Sequence, residues 1–461
     1  MAKSSFILAG FEAFGRIVNN FMLGKKPERW DNNFTYSDLS TYFDSTITGF
    51  LHSYGEDYAI RKNLKTYGKS QMKMIKRFLD TGLFDKVNFY IDSGGYQIST
   101  GKLNRYYSEA LLDNYYDFVV EAKDLYDRSF ILDVSPGQNC VMFENFNDVY
   151  EKNLRSYQEA VSLPDDVRSK MIYVHHFRTP QLSKIYTRLL RENDLYQYFN
   201  HFACGGIVSN MASDLKIPCL VYILPLIPLL IETQKAGRNY LNFHILGGAS
   251  YRDVLFYELF KEVVRRYHGI ELEITYDSSG IFRQIFVARY IHAFDDLGNI
   301  KKMNIKSDNL DRNFYNNVTV QEKLNENLNG MAEKYNFKKI DIMNGIYNEK
   351  TMNEEVKVYT MLYIFALYSE LTANFKNWAS EVLDVYESGD QEAFTDLCLD
   401  QTVKAAQGRY SSKVRYKTYS IGRSIEMLKN LDEDQCDHYI TKYLALDEFN
   451  YLDKSCQLLE I

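Results

Sequence analysis

Short apolar stretches rich in β-formers recur through the first part of the chain, punctuated by Gly, Asp or Pro. They are SFILAGF (5–11), VNFYIDSGG (87–95), SFILDVSPG (129–137), MIYVHHF (171–177), HFACGGIV (201–208), LNFHILGG (241–248) and ELEITYDSSG (271–280). Helix-like stretches lie between several of them, such as SEALLDNYYDFVVEAKDLY (108–126) and YRDVLFYELFKEVVRRYH (251–268). Strands that alternate with helices predict parallel βα units. The polar ends of the last six runs fall at Asp92, Asp133, His175, Gly205, Leu246 and Asp277, spaced by 41, 42, 30, 41 and 31 residues. Seven or eight units of this kind close into a (β/α)₈ TIM barrel, whose chemistry sits at the C-terminal ends of the strands. A doubly wound open sheet alternates in the same way and is the competing architecture.

Beyond about residue 300 the pattern changes. No proline follows Pro228, and EEVKVYTMLYIFALYSELTANFKNWASEVLDVY (354–386) reads as one or two amphipathic helices with a buried face. The expected organisation is a barrel domain over 1–300 and a mostly helical C-terminal domain over 301–461. The eighth strand stays open: YIHAFDDLGNIKKMNI (290–305) reads either as a strand or as a connecting hairpin. The most apolar stretch, IPCLVYILPLIPLLI (217–231), is shorter than a membrane span and carries Pro218, Pro225 and Pro228, so it is expected to be a buried segment.

Composition narrows the function classes. The 461 residues are 46% hydrophobic and 25% charged, ordinary for a globular protein, and a net charge of −7 argues against a uniformly basic nucleic-acid binder. Six scattered cysteines without a C-x-x-C pair, and no signal-like start, predict free thiols in a reducing cytoplasm. One local exception to the acidic balance is KAAQGRYSSKVRYKTYSIGR (404–423), which holds no acids. Its Arg409, Lys413, Arg415 and Lys417 are interleaved with Tyr410, Tyr416 and Tyr419. Such a stripe suits phosphates and unpaired bases, and it is equally a solvated basic face.

Three acids close strand-like runs: Asp92, Asp133 and Asp277. Singly, each is an Asx-turn or a helix cap. At the same end of successive barrel strands they would converge, and paired carboxylates suit cleavage of a glycosidic bond. Gly94–Gly95 and Gly205–Gly206 follow two of the strands, where missing side chains would let a flat ligand approach the backbone.

In that order, DSGGYQ (92–97), CGGIV (204–208), HILGG (244–248) and YDSSG (276–280) resemble the motifs of the tRNA-guanine transglycosylase superfamily, over roughly residues 87–290. That family is a (β/α)₈ barrel that exchanges guanine in a nucleic acid for a 7-deazaguanine. The resemblance implies Asp277 as nucleophile and Asp92 as general acid/base, with Asp133 hydrogen-bonding the base. It also implies that Tyr96 and Leu246 sandwich the base and that Gly205 and Gly206 meet its edge through the backbone. Where the family has a glutamine, this chain has His175 and His176, and either takes the role.

Two departures from the family shape the expectation. Members that act on tRNA hold a zinc with a C-x-C-x-x-C cluster and a later histidine; nothing like it exists here, so no zinc is expected. Met211 stands where queuine-type enzymes carry a glutamate for a cationic base, which favours neutral 7-cyano-7-deazaguanine. A zinc-less relative with a helical C-terminal domain resembles the 7-deazaguanine DNA transglycosylases of phages and bacterial modification systems. The expected partners are therefore DNA and a 7-deazaguanine base. The alternatives are a zinc-less tRNA-guanine transglycosylase, a non-catalytic nucleic-acid-binding barrel and a small-molecule glycosidase.

Overall fold

The computed structural model of the chain describes residues 5–9, 11, 47–54, 73, 75–77, 80, 82, 87–95, 109–133, 146–176, 180–205, 220–278, 290–294, 300–304, 354–405, 414–431 and 433–434. Its centre is a closed barrel of eight parallel strands in chain order. These are β1 (Phe6–Ala9), β2 (Gly49–Ser53), β3 (Asn88–Asp92), β4 (Arg128–Phe130), β5 (Met171–His176), β6 (His201–Gly205), β7 (Tyr240–Ile245) and β8 (Glu271–Asp277). Closure runs through β1 and β8, with Phe6 beside Tyr276 and Ile7 beside Asp277. Around the barrel lie α1 (Glu109–Glu121), α2 (Phe146–Ser162), α3 (Asp165–Arg168), α4 (Pro180–Glu192), α5 (Leu220–Lys235) and α6 (Tyr251–His268). The (β/α)₈ expectation holds, and with parallel strands in sequential order the open doubly wound sheet is ruled out.

Of the two readings left open for 290–305, the hairpin holds: β9 (Tyr290–Phe294) pairs antiparallel with β10 (Ile300–Asn304) in a sheet separate from the barrel. The remaining place in the barrel belongs to β2, whose five residues GFLHS pair with β1 on one side and β3 on the other.

The barrel interior is filled by side chains from strands that are not neighbours. The Tyr90 ring of β3 and the Phe130 ring of β4 lie 5.6 and 5.1 Å from the imidazole of His244 on β7. Such interior layers make the barrel a packed core rather than a pore.

After the hairpin come α7 (Glu354–Ser388), α8 (Gln391–Ala405) and α9 (Val414–Asn430), the helical C-terminal region. They pack directly on the barrel. Phe365 and Tyr368 of α7 lie 5.2 and 4.5 Å from the Phe6 ring of β1, and Phe365 also meets Phe50 of β2. The Tyr368 hydroxyl donates to the carbonyl of Ala249, just before α6. One turn of α7 thus covers the outward faces of β1, β2 and β8, the seam where the barrel closes.

This explains two apolar stretches. The 217–231 run lies largely in α5, which touches β7 on one side and α9 on another, so nearly every described side chain in it is buried. Pro225 and Pro228 sit inside that helix and withhold two backbone donors. Helix α6 is enclosed likewise by β8, α7 and α9. Its ends are well marked: Ser250 and Asp253 form a reciprocal capping box, and Gly269 closes it at φ 64°. Arg266 of α6 donates to Asp384 and Glu387 of α7, and His268 meets the Leu428 carbonyl of α9.

Candidate active site

The carboxylates gather at the C-terminal end of the barrel. Asp92 ends β3, Asp277 ends β8, and Asp133 lies just beyond β4. Register pairs Asp92 with Ser53, the last residue of β2, and the Ser53 hydroxyl donates to Asp92 Oδ2 at 2.9 Å. The backbone of Gly94, at φ 98° where glycine is favoured, supplies a further hydrogen bond. Burial, reinforced by the nearby charges of Asp133 and then Asp277, pushes the Asp92 carboxyl up to about 7; the bonds from Ser53 and Gly94 oppose the rise. The mutual influence of the three acids places them in one mouth.

Asp133 is held on both oxygens. The Ser93 hydroxyl donates to Oδ1 at 3.2 Å, and Nε2 of His176, the last residue of β5, lies 2.5 Å from Oδ2. Two glycines make that arrangement possible. A Cβ on Gly95 would stand 2.5 and 2.6 Å from the Asp133 oxygens, and a Cβ on Gly205 would stand 2.6 Å from Cε1 of His176. The missing side chains of Gly95 and Gly205 therefore make room for the protein's own carboxylate and imidazole. This packing reason stands beside the expectation that the bare backbone meets a flat ligand.

Asp277 is held from a third direction. The Gly247 N–H donates to Oδ1 at 2.8 Å, in the turn that follows β7. His244 Nε2 lies 3.3 Å from the same oxygen, and its Nδ1 lies 2.8 Å from the Thr275 hydroxyl. Leu246, expected against the base, sits half-buried in that turn with its N–H bonded to the Cys204 carbonyl.

Of the residues singled out by sequence, Asp92, Asp133, Asp277, His176, Gly205 and Leu246 come together at one end. Of the two histidines, His176 is the one that reaches Asp133. His175 is fully buried, its ring 6.0 Å from that of Tyr186 on α4, and neither ring nitrogen has a partner among the described residues. Burial, with a smaller contribution from neighbouring positive charge, pushes it down to about 3. Tyr96, Gly206, Met211, Arg409 and Lys413 lie outside the described residues, and Arg415 and Lys417 fall in the first turn of α9. Sequence reasoning assigned no role to Ser53, Ser93 or His244. Two of them stand inside quoted motifs, DSGG and HILGG, where the acid and the glycines drew the attention.

A cavity of about 200 Å³ opens at the other end of the barrel, lined by Asn88, Arg128, His201 and Glu273 and roofed by Tyr90, His244 and Thr275. Burial and the Arg128 charge push His201 down to about 3. Among the described residues no group of three or more His, Cys, Asp or Glu is arranged to hold a metal ion, and no helix is long and apolar enough to cross a membrane.

No protein-family model matches the chain, and no curated protein matches it. The barrel and the chemistry of its mouth carry the reading. A TIM barrel with acids at the C-terminal ends of its strands is a fold that commonly serves enzymes.

Proposed function

We propose that the mouth catalyses base exchange at a glycosidic bond in DNA, replacing guanine with a 7-deazaguanine such as 7-cyano-7-deazaguanine. The observation that carries this reading is the grouping of three carboxylates in three different environments, one of them held near neutrality. Pairs of acids with divergent environments divide the roles of nucleophile and proton carrier.

Asp277 is the nucleophile. Oδ1 is anchored by Gly247 and His244, and no described residue engages Oδ2. Oδ2 attacks C1′ of the nucleotide, the C1′–N9 bond breaks, and the departing guanine takes its proton from Asp92. The incoming base gives its N9 proton back to Asp92, and N9 displaces the aspartyl oxygen from C1′ with net retention. A carboxyl near 7 serves both steps at neutral pH. Because the reacting base cannot stay stacked, the nucleotide has to be flipped into the mouth. Asp133, already bonded to Ser93 and His176, presents a fixed polar edge to the base. Nδ1 of His176 has no partner among the described residues and is free to complete that edge.

The test is incubation of the full chain with radiolabelled 7-cyano-7-deazaguanine and either duplex DNA or tRNA. Label in DNA, abolished by Asp277→Ala, is the expected result. Label only in tRNA would move the substrate to the alternative nucleic acid, and activity that survives Asp277→Ala would overturn the chemistry.

A further inference from the structure

His244 is 2% exposed, deep in the barrel, and it links two places that are otherwise separate. Above it stands Asp277; below it lies the cavity at the N-terminal ends of the strands, which Tyr90, His244 and Thr275 line. The polar atoms form one chain. Thr275 Oγ1 lies 2.8 Å from His244 Nδ1, and Nε2 lies 3.3 Å from Asp277 Oδ1, with the Tyr90 ring 5.6 Å from the imidazole.

With a neutral imidazole, one direction of donation satisfies both ring nitrogens. Asp277 Oδ1 already accepts the Gly247 N–H at 2.8 Å, so it acts as an acceptor, and the imidazole has to donate to it through Nε2–H. Nδ1 is then an acceptor, which obliges Thr275 to donate its hydroxyl proton to it. The Tyr90 phenol beside them, pushed up to about 12 chiefly by burial, keeps its proton.

We propose that His244 is the positioning residue for Asp277: the Thr275 hydroxyl fixes it as the Nε2–H tautomer, and it pins Oδ1 from inside the barrel so that Oδ2 faces the mouth. The assignment of Oδ2 as the attacking atom rests on the base-exchange reading; the tautomer and the pinning do not. A partner behind the ligating or reacting group fixes tautomer and direction in the same way elsewhere.

The test uses the full-length protein with ¹⁵N-labelled histidine and ¹³C-labelled aspartate. The His244 ring signals are assigned by their loss in His244→Gln, and the Asp277 carboxyl signal by its loss in Asp277→Asn. The expected spectrum shows the Nε2–H tautomer with a hydrogen-bonded Nδ1. Thr275→Val, which removes only the hydroxyl, shifts the ring toward mixed tautomers and moves the Asp277 carboxyl signal. In base exchange, His244→Leu lowers kcat by about 100-fold with little change in KM, and His244→Gln, which keeps a donor, recovers part of the loss. An Nδ1–H tautomer, a His244 spectrum indifferent to Thr275→Val, or a kcat unchanged in His244→Leu would overturn the proposal. A wild-type protein without exchange activity would sink the base-exchange reading instead, while the spectra still decide the pinning.

Discussion

Replacing Asp92 by Asn keeps the shape of the side chain and an acceptor for the Ser53 hydroxyl while deleting the charge. The folded protein holds this carboxyl near 7 against an ordinary 3.8, so it binds a proton more tightly than the unfolded chain does. Stability contributed by that proton is complete at low pH and is lost as pH rises from about 4 to about 7, since over this range the unfolded state releases the proton first. A gap of about three units corresponds to about 4 kcal/mol, at about 1.4 kcal/mol per unit. That figure is a ceiling. The side chain is only half-buried by surface, although densely surrounded by protein, and water at the mouth recovers part of the penalty. About 2 kcal/mol is the working expectation, with roughly half of it or more falling between pH 5 and pH 8.

The Asn variant lacks this pH-dependent term. Urea unfolding of wild type and Asp92→Asn at pH 5 and at pH 8 therefore isolates it. The variant gains on wild type as pH rises, by about 1–2 kcal/mol across the interval, while losing base exchange by about 100-fold or more. A functional residue whose removal stabilises the fold at working pH is the signature of like charges crowded for chemistry. A stability difference that stays constant from pH 5 to pH 8 would refute the reasoning, because it would mean that Asp92 titrates alike in the folded and unfolded states.

Two further outcomes test the frame around the mouth. Gly205→Ala drives a Cβ to 2.6 Å from the His176 ring, which Asp133 holds at 2.5 Å; a loss of about 1–3 kcal/mol in chemical denaturation is expected. Adding His176→Ala to that variant should relieve the clash, seen as a coupling of about 1 kcal/mol or more in a double-mutant cycle. Phe6→Ala removes the ring, fully buried, on which Tyr368 stacks at 4.5 Å, and should cost about 3–5 kcal/mol by the same measurement. A loss below about 1 kcal/mol would show that α7 does not seal the barrel seam.

Much of the barrel is written in the chain as apolar runs with a polar end, and the spacing of those ends carried the carboxylates to one mouth. The strand that escaped, β2, shows the limit of that signal. In GFLHS only Phe50 and Leu51 are large apolar residues, and the strand begins with Gly and ends in His-Ser. It therefore lacks the longer apolar run of its neighbours, although Gly55 follows it. Its identity comes from its neighbours: β1 and β3 each offer it a free edge, and closure of the barrel needs one more strand. The hairpin at 290–305, more strand-like in composition, pairs only with itself. The glycines were visible, but their neighbours were not. A bare Cα reads the same whether it faces a ligand or a side chain, and the structure adds that Asp133 and His176 lie against Gly95 and Gly205. His244 was hidden for a similar reason, since its partners Thr275 and Asp277 lie on the adjacent strand and Tyr90 lies across the barrel.

What separates three identical carboxyl groups is therefore the inventory of donors around each. Asp277 has a backbone N–H and an imidazole, and Asp133 has a hydroxyl and an imidazole at 2.5 Å. Asp92 has a hydroxyl and a backbone contact, and it alone lacks a nitrogen-bearing side chain. Three negative charges in one mouth repel one another strongly when water is scarce, so a proton retained among them lowers the energy of the whole group. It settles on Asp92, where burial first, and then the charges of Asp133 and Asp277, push the carboxyl up to about 7. Under the proposed base exchange, Asp92 is then the position from which that proton is given to one base and taken from the next.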